Sequence, residues 1–427
     1  MIDIRRLRHD PDEVRAALRR RLDPGVDAVV DSLLDLDRRR RDLLVRVETL
    51  KAERNTASEE VARRKKAGQV ADDLLAVLKE SGETVKALDG EVREIDGRLD
   101  DLLLNLPNLP HPEAPDGDAT RNQVVRSWGE PRAFDFEPLP HWELGARLGL
   151  FDLPRGAKIS GSGFPVFTGA GARLVRGLIN FMLDLHTREH GYTEICPPFL
   201  VNRATMTGTG QLPKFAEDAY SVPSDDLYLI PTAEVPLTNL YRDEILEAGQ
   251  LPMGLVAWTP CFRREAGAHG KDTRGLIRVH QFDKVELVRL VPPDSSDAEH
   301  ELLTGQAETV LRRLGLPYRV LALAAGDTGF SSARTFDLEL WAPGAGLWLE
   351  ASSSSTFTDY QARRANIRYR PAPGAKPEFV HTLNASGVAF PRTIAAILEN
   401  YQQADGTVRV PEALVPYLGI DRFVPRD

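Results

Sequence analysis

Residues 259–288 read TPCFRREAGAHGKDTRGLIRVHQFDKVELV. Arg263, Arg264, Arg274, Arg278 and Lys271 fall within this stretch, together with the carboxylates Glu265 and Glu286. Apolar runs flank a polar, glycine-containing middle, the pattern of two antiparallel strands joined by a long loop. Side chains alternate along a strand, so IRVHQFDKVEL places Arg278, His280, Phe282, Lys284 and Glu286 on one face. Such a face offers a cation, an aromatic plane and an anion in a row. Those groups complement the phosphate, base and ammonium of an aminoacyl nucleotide. Alternating charge alone is ordinarily a solvated face, so the literal order of residues carries the functional reading.

That order is specific. Phe262-Arg263-Arg264-Glu265, followed after a loop by Arg278 to Phe282, resembles the second signature motif of class II aminoacyl-tRNA synthetases. The longer string EAG..GKDTRGLIRVHQFDKVE resembles the seryl-tRNA synthetase family within that class, and a match of this length outweighs a four-residue pattern. The resemblance covers nearly the whole chain. It implies an α+β fold: an antiparallel-sheet class II catalytic domain preceded by a long antiparallel coiled-coil helical hairpin.

Composition is ordinary for a soluble protein of more than one domain. The chain has 427 residues, 42% hydrophobic and 27% charged, enough for two or three domains. No run of about 18 apolar residues suggests a membrane span. The N-terminal MIDIRRLRHDPDEV lacks the apolar centre of a secretory signal. The two cysteines, Cys196 and Cys261, have no C-x-x-C partner, so neither zinc nor a disulfide framework is expected. A reducing cytoplasm fits this usage. The net charge of −9 argues against nucleic-acid binding by the whole surface and leaves room for a local basic track.

Residues 1–112 are expected to form an N-terminal RNA-binding domain whose arm spans about 30–105. Leu33, Leu36, Leu43, Val47, Leu50, Ala57 and Val61 keep 3-4 spacing, which resumes at Leu74, Leu78, Val85, Leu88, Val92, Ile95, Leu99, Leu102 and Leu106. A polar break at residues 63–69 separates them, so the two helices should pair as an antiparallel hairpin, each roughly 50 Å long at 1.5 Å per residue. Asp10-Pro11-Asp12-Glu13 reads as the start of a short helix at the arm's base. Leu106–Pro112, LPNLPHP, ends the arm. Residues 113–139 read as a Pro-, Gly- and Asp-rich linker. From 140 to 427, helical and strand patterns mix as in an α+β domain. Neither a dinucleotide-binding G-x-G-x-x-G after an early strand nor a P-loop occurs.

The site residues come from the resemblance. Leu174–Glu189 and the following GYTEICPP look like the first class II motif, which implies a homodimer. Arg263, Arg278 and Arg392 correspond to the catalytic arginines: Arg263 on the α-phosphate, Arg278 on the γ-phosphate of a bent ATP, and Arg392 over the face of adenine opposite Phe282. Arg264, Glu265, Val279, Glu350, Ala351, Ser352 and Ser353 complete the implied ATP site. Glu350 and Ser353 would supply hard oxygens to Mg²⁺. Thr232, Ala233, Glu234, Arg263, Glu286, Asn384 and Ser386 would hold serine, whose hydroxyl a hydrogen-bonding pocket can demand. On the arm, Arg38, Arg39, Arg41, Arg46, Lys51, Arg63, Arg64, Lys65 and Lys66 would meet the long variable arm of tRNA(Ser). The family also serves tRNA(Sec), which extends the expected partners.

Ser354, Thr356, Ala385 and Pro391 depart from the family pattern, which usually has cysteine, asparagine, glycine and glycine there. They are expected to border the site. On that footing a paralogue specialised for antibiotic biosynthesis or self-resistance is one alternative. A catalytically dead coiled-coil RNA-binding scaffold is another, opposed by the complete set of motif residues.

Overall fold

The computed structural model describes residues 1–266 and 274–425. Lys271 of the opening stretch lies outside them. By its internal packing the chain divides into two units, residues 2–19 with 23–107, and residue 1 with 20–22 and 108–427.

In the first unit the heptad spacing becomes two helices, α1 (Val26–Lys66) and α2 (Asp72–Leu104). At 41 residues α1 is longer than expected and begins earlier; it spans about 60 Å. Its buried residues include Leu33, Leu36, Val47 and Val61, those of α2 Val85, Leu88, Val92, Ile95 and Leu99, and Val47 packs with Val85 and Leu88 across the pair. Near the end of α2 the seam moves from the expected Leu102 to Leu103, which is buried, because 3.6 residues per turn do not match a strict heptad. Arg40, an interruption of the apolar seam, forms an ion pair with Asp96 across it. Two short helices, Ile4–His9 and Pro11–Arg19, precede α1, where one was expected. Arg8 binds buried Asp37 of α1 in a bidentate pair at 2.8 and 2.7 Å, and the guanidinium holds that carboxyl below its ordinary range despite burial.

The second unit is built on one eight-stranded sheet. In chain order its labelled elements are β1 (Gln123–Trp128), α3 (His141–Leu148), α4 (Ala170–Arg188), β2 (Thr193–Glu194), α5 (Glu234–Asn239), β3 (Met253–Phe262), β4 (Gln281–Val291), α6 (Ser296–Arg313), β5 (Tyr318–Ala322), β6 (Arg334–Ala342), β7 (Leu347–Thr356), α7 (Tyr360–Ala365), β8 (His381–Ala389) and α8 (Phe390–Tyr401). Strand order is β1-β5-β6-β7-β8-β4-β3-β2. All pairs are antiparallel save β2 with β3. β1 lies within residues 113–139, expected as a linker: its QVVRSW pattern is short and hidden among Pro and Gly, yet it supplies the sheet edge.

One sheet face carries the main core. Leu178 and Met182 of α4, Leu303 and Val310 of α6, and Ile394 and Ile397 of α8 pack with Val285, Leu287, Leu338 and Val388 of the strands. Burial of this kind of aliphatic side chain contributes roughly 1.5–3 kcal/mol each before conformational entropy is counted. Ser354 and Thr356 lie on this face too: Thr304 of α6 donates to Ser354 Oγ at 2.8 Å, and the Thr356 and Ser296 hydroxyls are 3.3 Å apart. Ala385 is wholly buried in the same core. These three departures therefore back the sheet and do not border the cavity. Pro391 does line it. It sits at the second position of α8, where a missing N–H leaves no helical bond unmade.

Among the described helices, none is long and apolar enough to cross a membrane.

Candidate active site

The opposite sheet face floors a cavity of about 630 Å³. Two irregularities in pairing aim side chains into it. Leu338 pairs with Ser352, but Glu339 pairs with Glu350, leaving Ala351 as an extra residue in β7. Strict alternation would put Glu350 and Ser353 on opposite faces; the bulge returns both to the cavity. On β8, Val285 pairs with Val388 and Glu286 with Ser386, so Gly387 is the extra residue. A Cβ there would lie 3.2 Å from His186 Nε2 and from both Val285 Cγ1 and O, which favours glycine.

The strand expected over residues 277–287 begins only at Gln281. Arg278 and His280 precede it in turns, so period-two alternation does not set their directions. His280 Nδ1 instead donates to the Arg263 carbonyl at 3.1 Å, and its ring packs near Phe164. It is absent from the cavity wall, whereas Arg278, Phe282 and Lys284 line it.

At the cationic end, Arg263 donates from Nε to Pro231 O at 3.3 Å, and its guanidinium lies 5.2 Å from the Phe282 ring centroid. Arg278 pairs with Glu265, whose backbone adopts φ of 51°. Arg392 donates to Ile277 O at 3.0 Å and Glu350 O at 2.7 Å, with the Glu350 carboxylate 3.3 Å away. The cation over Phe282 is thus Arg263; Arg392, expected on the far side of adenine from that ring, lies on the same cavity wall. Two carbonyls on separate segments fix Arg392 beside the ring's cavity. Val279 and Ala351 contribute to the same wall. Arg264 is exposed and outside it, because β3 ends at Phe262 and successive side chains diverge. Ser352 is buried below, donating to Ser386 O at 2.6 Å.

The anionic end is a buried network. Asn384 Nδ2 donates to Glu234 Oε2 at 3.0 Å and Glu286 Oε1 at 2.9 Å. Gln361 of α7 donates to Glu234 Oε1 at 2.6 Å and takes a hydrogen bond from Thr382 at 2.7 Å. Lys284 donates to Thr232 Oγ1 at 2.9 Å and forms an ion pair with Glu286 Oε2 that lacks hydrogen-bond alignment. Burial, followed by the neighbouring Glu286, pushes the Glu234 carboxyl up to about 7. A buried carboxylate on the cavity wall, Glu234, with a second, Glu286, directly behind it suits a cationic ligand. Thr232, Glu234, Asn384 and Ser386 line that cavity; Ala233 and Glu286 lie fully buried behind it.

Three participants had no role assigned from sequence. Lys284 was on the expected face but reads as a solvated charge. Gln361 comes from QARRA, which carries no motif. Asp337 of β6 faces Ser353, whose hydroxyl it accepts, and burial plus the nearby Glu350 holds its carboxyl well above the carboxylate range. Converging hard oxygens on Asp337, Ser353 and Glu350 fit a divalent cation, which would relieve that repulsion.

On the arm, several basic candidates already have partners: Arg38 with Asp35, Arg41 with Asp37, Lys51 with Asp89, Arg63 with Glu60, and Arg64 with Glu60 and Asp73. Arg39, Arg46, Lys65 and Lys66 are exposed and, among the described residues, form no ion pair.

Comparison with known proteins follows the same division. Residues 1–110 match the model of the seryl-tRNA synthetase N-terminal domain, and residues 219–401 match the class II tRNA synthetase core domain (G, H, P, S and T). A serine–tRNA ligase of Gemmatimonas aurantiaca is 59% identical over 98% of this chain and 99% of its own. The crystal structure of seryl-tRNA synthetase from Pyrococcus horikoshii complexed with ATP superposes with a TM-score of 0.95 at 39% identity, covering 100% of both chains. A cytoplasmic serine–tRNA ligase from Naegleria fowleri in complex with AMP gives 0.89 at 30% identity, covering 100% of this chain and 99% of that one.

Proposed function

The chain belongs to the seryl-tRNA synthetase family of class II and is a serine–tRNA ligase, and from this premise we propose how its residues divide the work. The enzyme activates L-serine with ATP and transfers the seryl group to tRNA. In the first step a serine carboxylate oxygen attacks the α-phosphorus; an O–P bond forms and the bond to pyrophosphate breaks. In the second, a ribose hydroxyl of tRNA attacks the seryl carbonyl and AMP leaves. No side chain forms a covalent intermediate. Alignment and charge neutralisation supply the acceleration.

Arg263 holds the α-phosphate, where equatorial charge grows in the transition state. Arg278 takes the γ-phosphate, exchanging its Glu265 partner for a phosphate oxygen. Phe282 and Arg392 enclose adenine. Glu350 and Ser353, positioned by Asp337, would hold Mg²⁺, which when bound neutralises phosphate charge. Glu234 and Glu286 receive the serine ammonium and hydroxyl, with Asn384 fixing both carboxylates and Lys284 fixing Glu286. The observation that carries this reading is Asn384, on the wall of the cavity that also holds three arginines, bridging Glu234 of that wall to Glu286 buried behind it.

Residues 1–112 form the tRNA-binding part, and 140–427, with β1 from the preceding segment, the catalytic part. The arm's unpaired cations meet the variable arm of tRNA(Ser) through phosphate and ribose. The exposed edge strand β2, following α4, supports a homodimer. The free Cys196 and Cys261 suit the cytoplasm. ATP–pyrophosphate exchange with each amino acid in turn tests the assignment: exchange should depend on serine, and equal exchange with alanine or threonine would overturn it.

A further inference from the structure

The cavity does not end at the serine groups. Its wall continues over Thr209, Gln211, Phe215, Phe330 and Ser331, none of which belongs to the nucleotide or serine sets above. A chain of bonds places this extension beside the serine end. Gln361 Nε2 donates both to Glu234 Oε1 at 2.6 Å and to Thr209 O at 3.2 Å, and Ser331 Oγ donates to the same carbonyl at 3.3 Å. The extension thus begins one side chain beyond the group that receives serine.

Its rim is aromatic and cationic. Phe215 and Phe330 meet edge to face with centroids 6.2 Å apart, and Phe330 meets Tyr360 the same way at 6.2 Å. The Lys214 ammonium lies 5.9 Å from the Phe330 centroid, and Phe215 is 40% exposed. Arg364, tied to Thr207 O, Leu212 O and the Tyr360 hydroxyl, sits 5.9 Å from the same ring. Rim carboxylates are engaged: Asp218 Oδ1 accepts from Ala266 N and Asp327 Oδ2 from Asn122, while Glu217 faces solvent. A protruding ring, Phe215, beside a second ring, Phe330, that carries a cation offers a stacking face for an unpaired base and a charge for its phosphate.

Transfer needs a second nucleoside in the cavity. The AMP moiety occupies the arginine-lined end, so the attacking ribose must come in from the serine side. Resting on the function proposed above, we propose that Phe215, Phe330 and Lys214 seat the 3′-terminal nucleotide of tRNA, its base against the rings and its phosphate near the ammonium. The hydroxyl of that ribose attacks the seryl carbonyl carbon and gives its proton to a phosphate oxygen of the leaving AMP; an ester bond forms, the carbonyl–phosphate oxygen bond breaks, and AMP departs.

The test is single-turnover transfer from enzyme-bound seryl-adenylate to tRNA, read beside ATP–pyrophosphate exchange. F330A and F215A should each slow transfer about tenfold, the loss expected for one stacked base, and F330W should restore it. K214A should raise the KM for tRNA. Serine and ATP KM values should move by less than about twofold, well under the effect of a lost stacked base. F330A also loses packing on Tyr360, so the exposed F215A and K214A keep the test independent of folding. Unchanged transfer in F215A and K214A would overturn the proposal. So would a changed ATP KM with transfer unaffected, which would assign the wall to the nucleotide of activation. A wild-type enzyme without serine-dependent exchange would instead sink the functional reading beneath it.

Discussion

Lys284 Nζ donates to Thr232 Oγ1 at 2.9 Å, joining the central strand β4 to the segment that leads into α5. The same ammonium is the counter-ion of Glu286, and both side chains are almost fully buried. Removing one partner of a buried pair leaves an uncompensated charge, which costs about 3–5 kcal/mol. K284M should therefore lower the urea midpoint strongly and raise the serine KM. The double variant K284M/E286L should recover stability, since an apolar pair of similar volume is tolerated, but not activity. Equal stability of wild type and K284M would show that the pair contributes nothing.

Glu234 gives the site a pH dependence. Its folded carboxyl titrates at about 7 against an ordinary 4.5. Between those values the folded state binds more protons than the unfolded, so this group makes stability fall as pH rises through the window and adds no further change above it. The proposed serine binding would work in the other direction: an ammonium beside Glu234 would favour the ionised form and release the proton. The serine KM should then rise by up to about tenfold from pH 8 to pH 6, the span of one pKa unit of linkage. E234Q should flatten that dependence. A wild-type KM that is flat over this range would refute the assignment.

What was legible in the sequence and what was not divide along physical lines. The arm could be read because a seam such as Leu33, Leu36, Val47 and Val61 repeats over many turns, and the sheet core because Val285 and Leu287 alternate with polar residues. Arg263, Phe282, Glu350 and Arg392 could be named because they stand in literal motifs. The register could not. Nothing in LEASSS announces that Ala351 is an extra residue, yet that bulge is why Glu350 and Ser353 share a face. The same holds for Arg278 and His280, assigned to a strand that starts only at Gln281. Long-range partners were equally hidden: Gln361 reaches Glu234 across 127 positions of chain, and no local pattern encodes such a meeting. Ser354, Thr356 and Ala385 stand off the cavity despite their adjacency to Ser353, Ser355 and Asn384, because sequence adjacency says nothing about which side of a pleat is exposed.

Arg263 is held at Nε by Pro231 O and stands 5.2 Å from the centroid of Phe282. It contributes little to the apolar core, so R263A should fold with a near-native melting temperature. Loss of a preorganised donor to developing charge lowers kcat on the order of a hundred- to a thousand-fold. Serine-dependent pyrophosphate exchange should drop by at least that much. R263K should recover only part, because a lysine offers a point charge in place of a planar fork. Exchange at the wild-type rate in R263A would remove this residue from the chemistry.

On the arm, charge alone does not select the residues proposed to meet RNA. Arg41 and Arg64 are committed to carboxylates at 3.1 and 3.2 Å, and a phosphate would have to displace those partners. Arg39, Arg46, Lys65 and Lys66 carry no such commitment among the described residues. Changing these four to alanine should raise the KM for tRNA without altering pyrophosphate exchange. The dependence of log affinity on log salt should become shallower by about 3 to 4 units, at roughly 0.9 for each phosphate no longer neutralised. The paired set, Arg41 and Arg64 to alanine, should change the slope far less and should instead loosen the arm, seen as a lower melting temperature. Deleting residues 35–98 sets the outer bound: adenylate formation should persist and tRNA charging should be abolished. An unchanged salt slope in the four-residue variant, with charging intact, would mean that RNA reads some other surface of this protein.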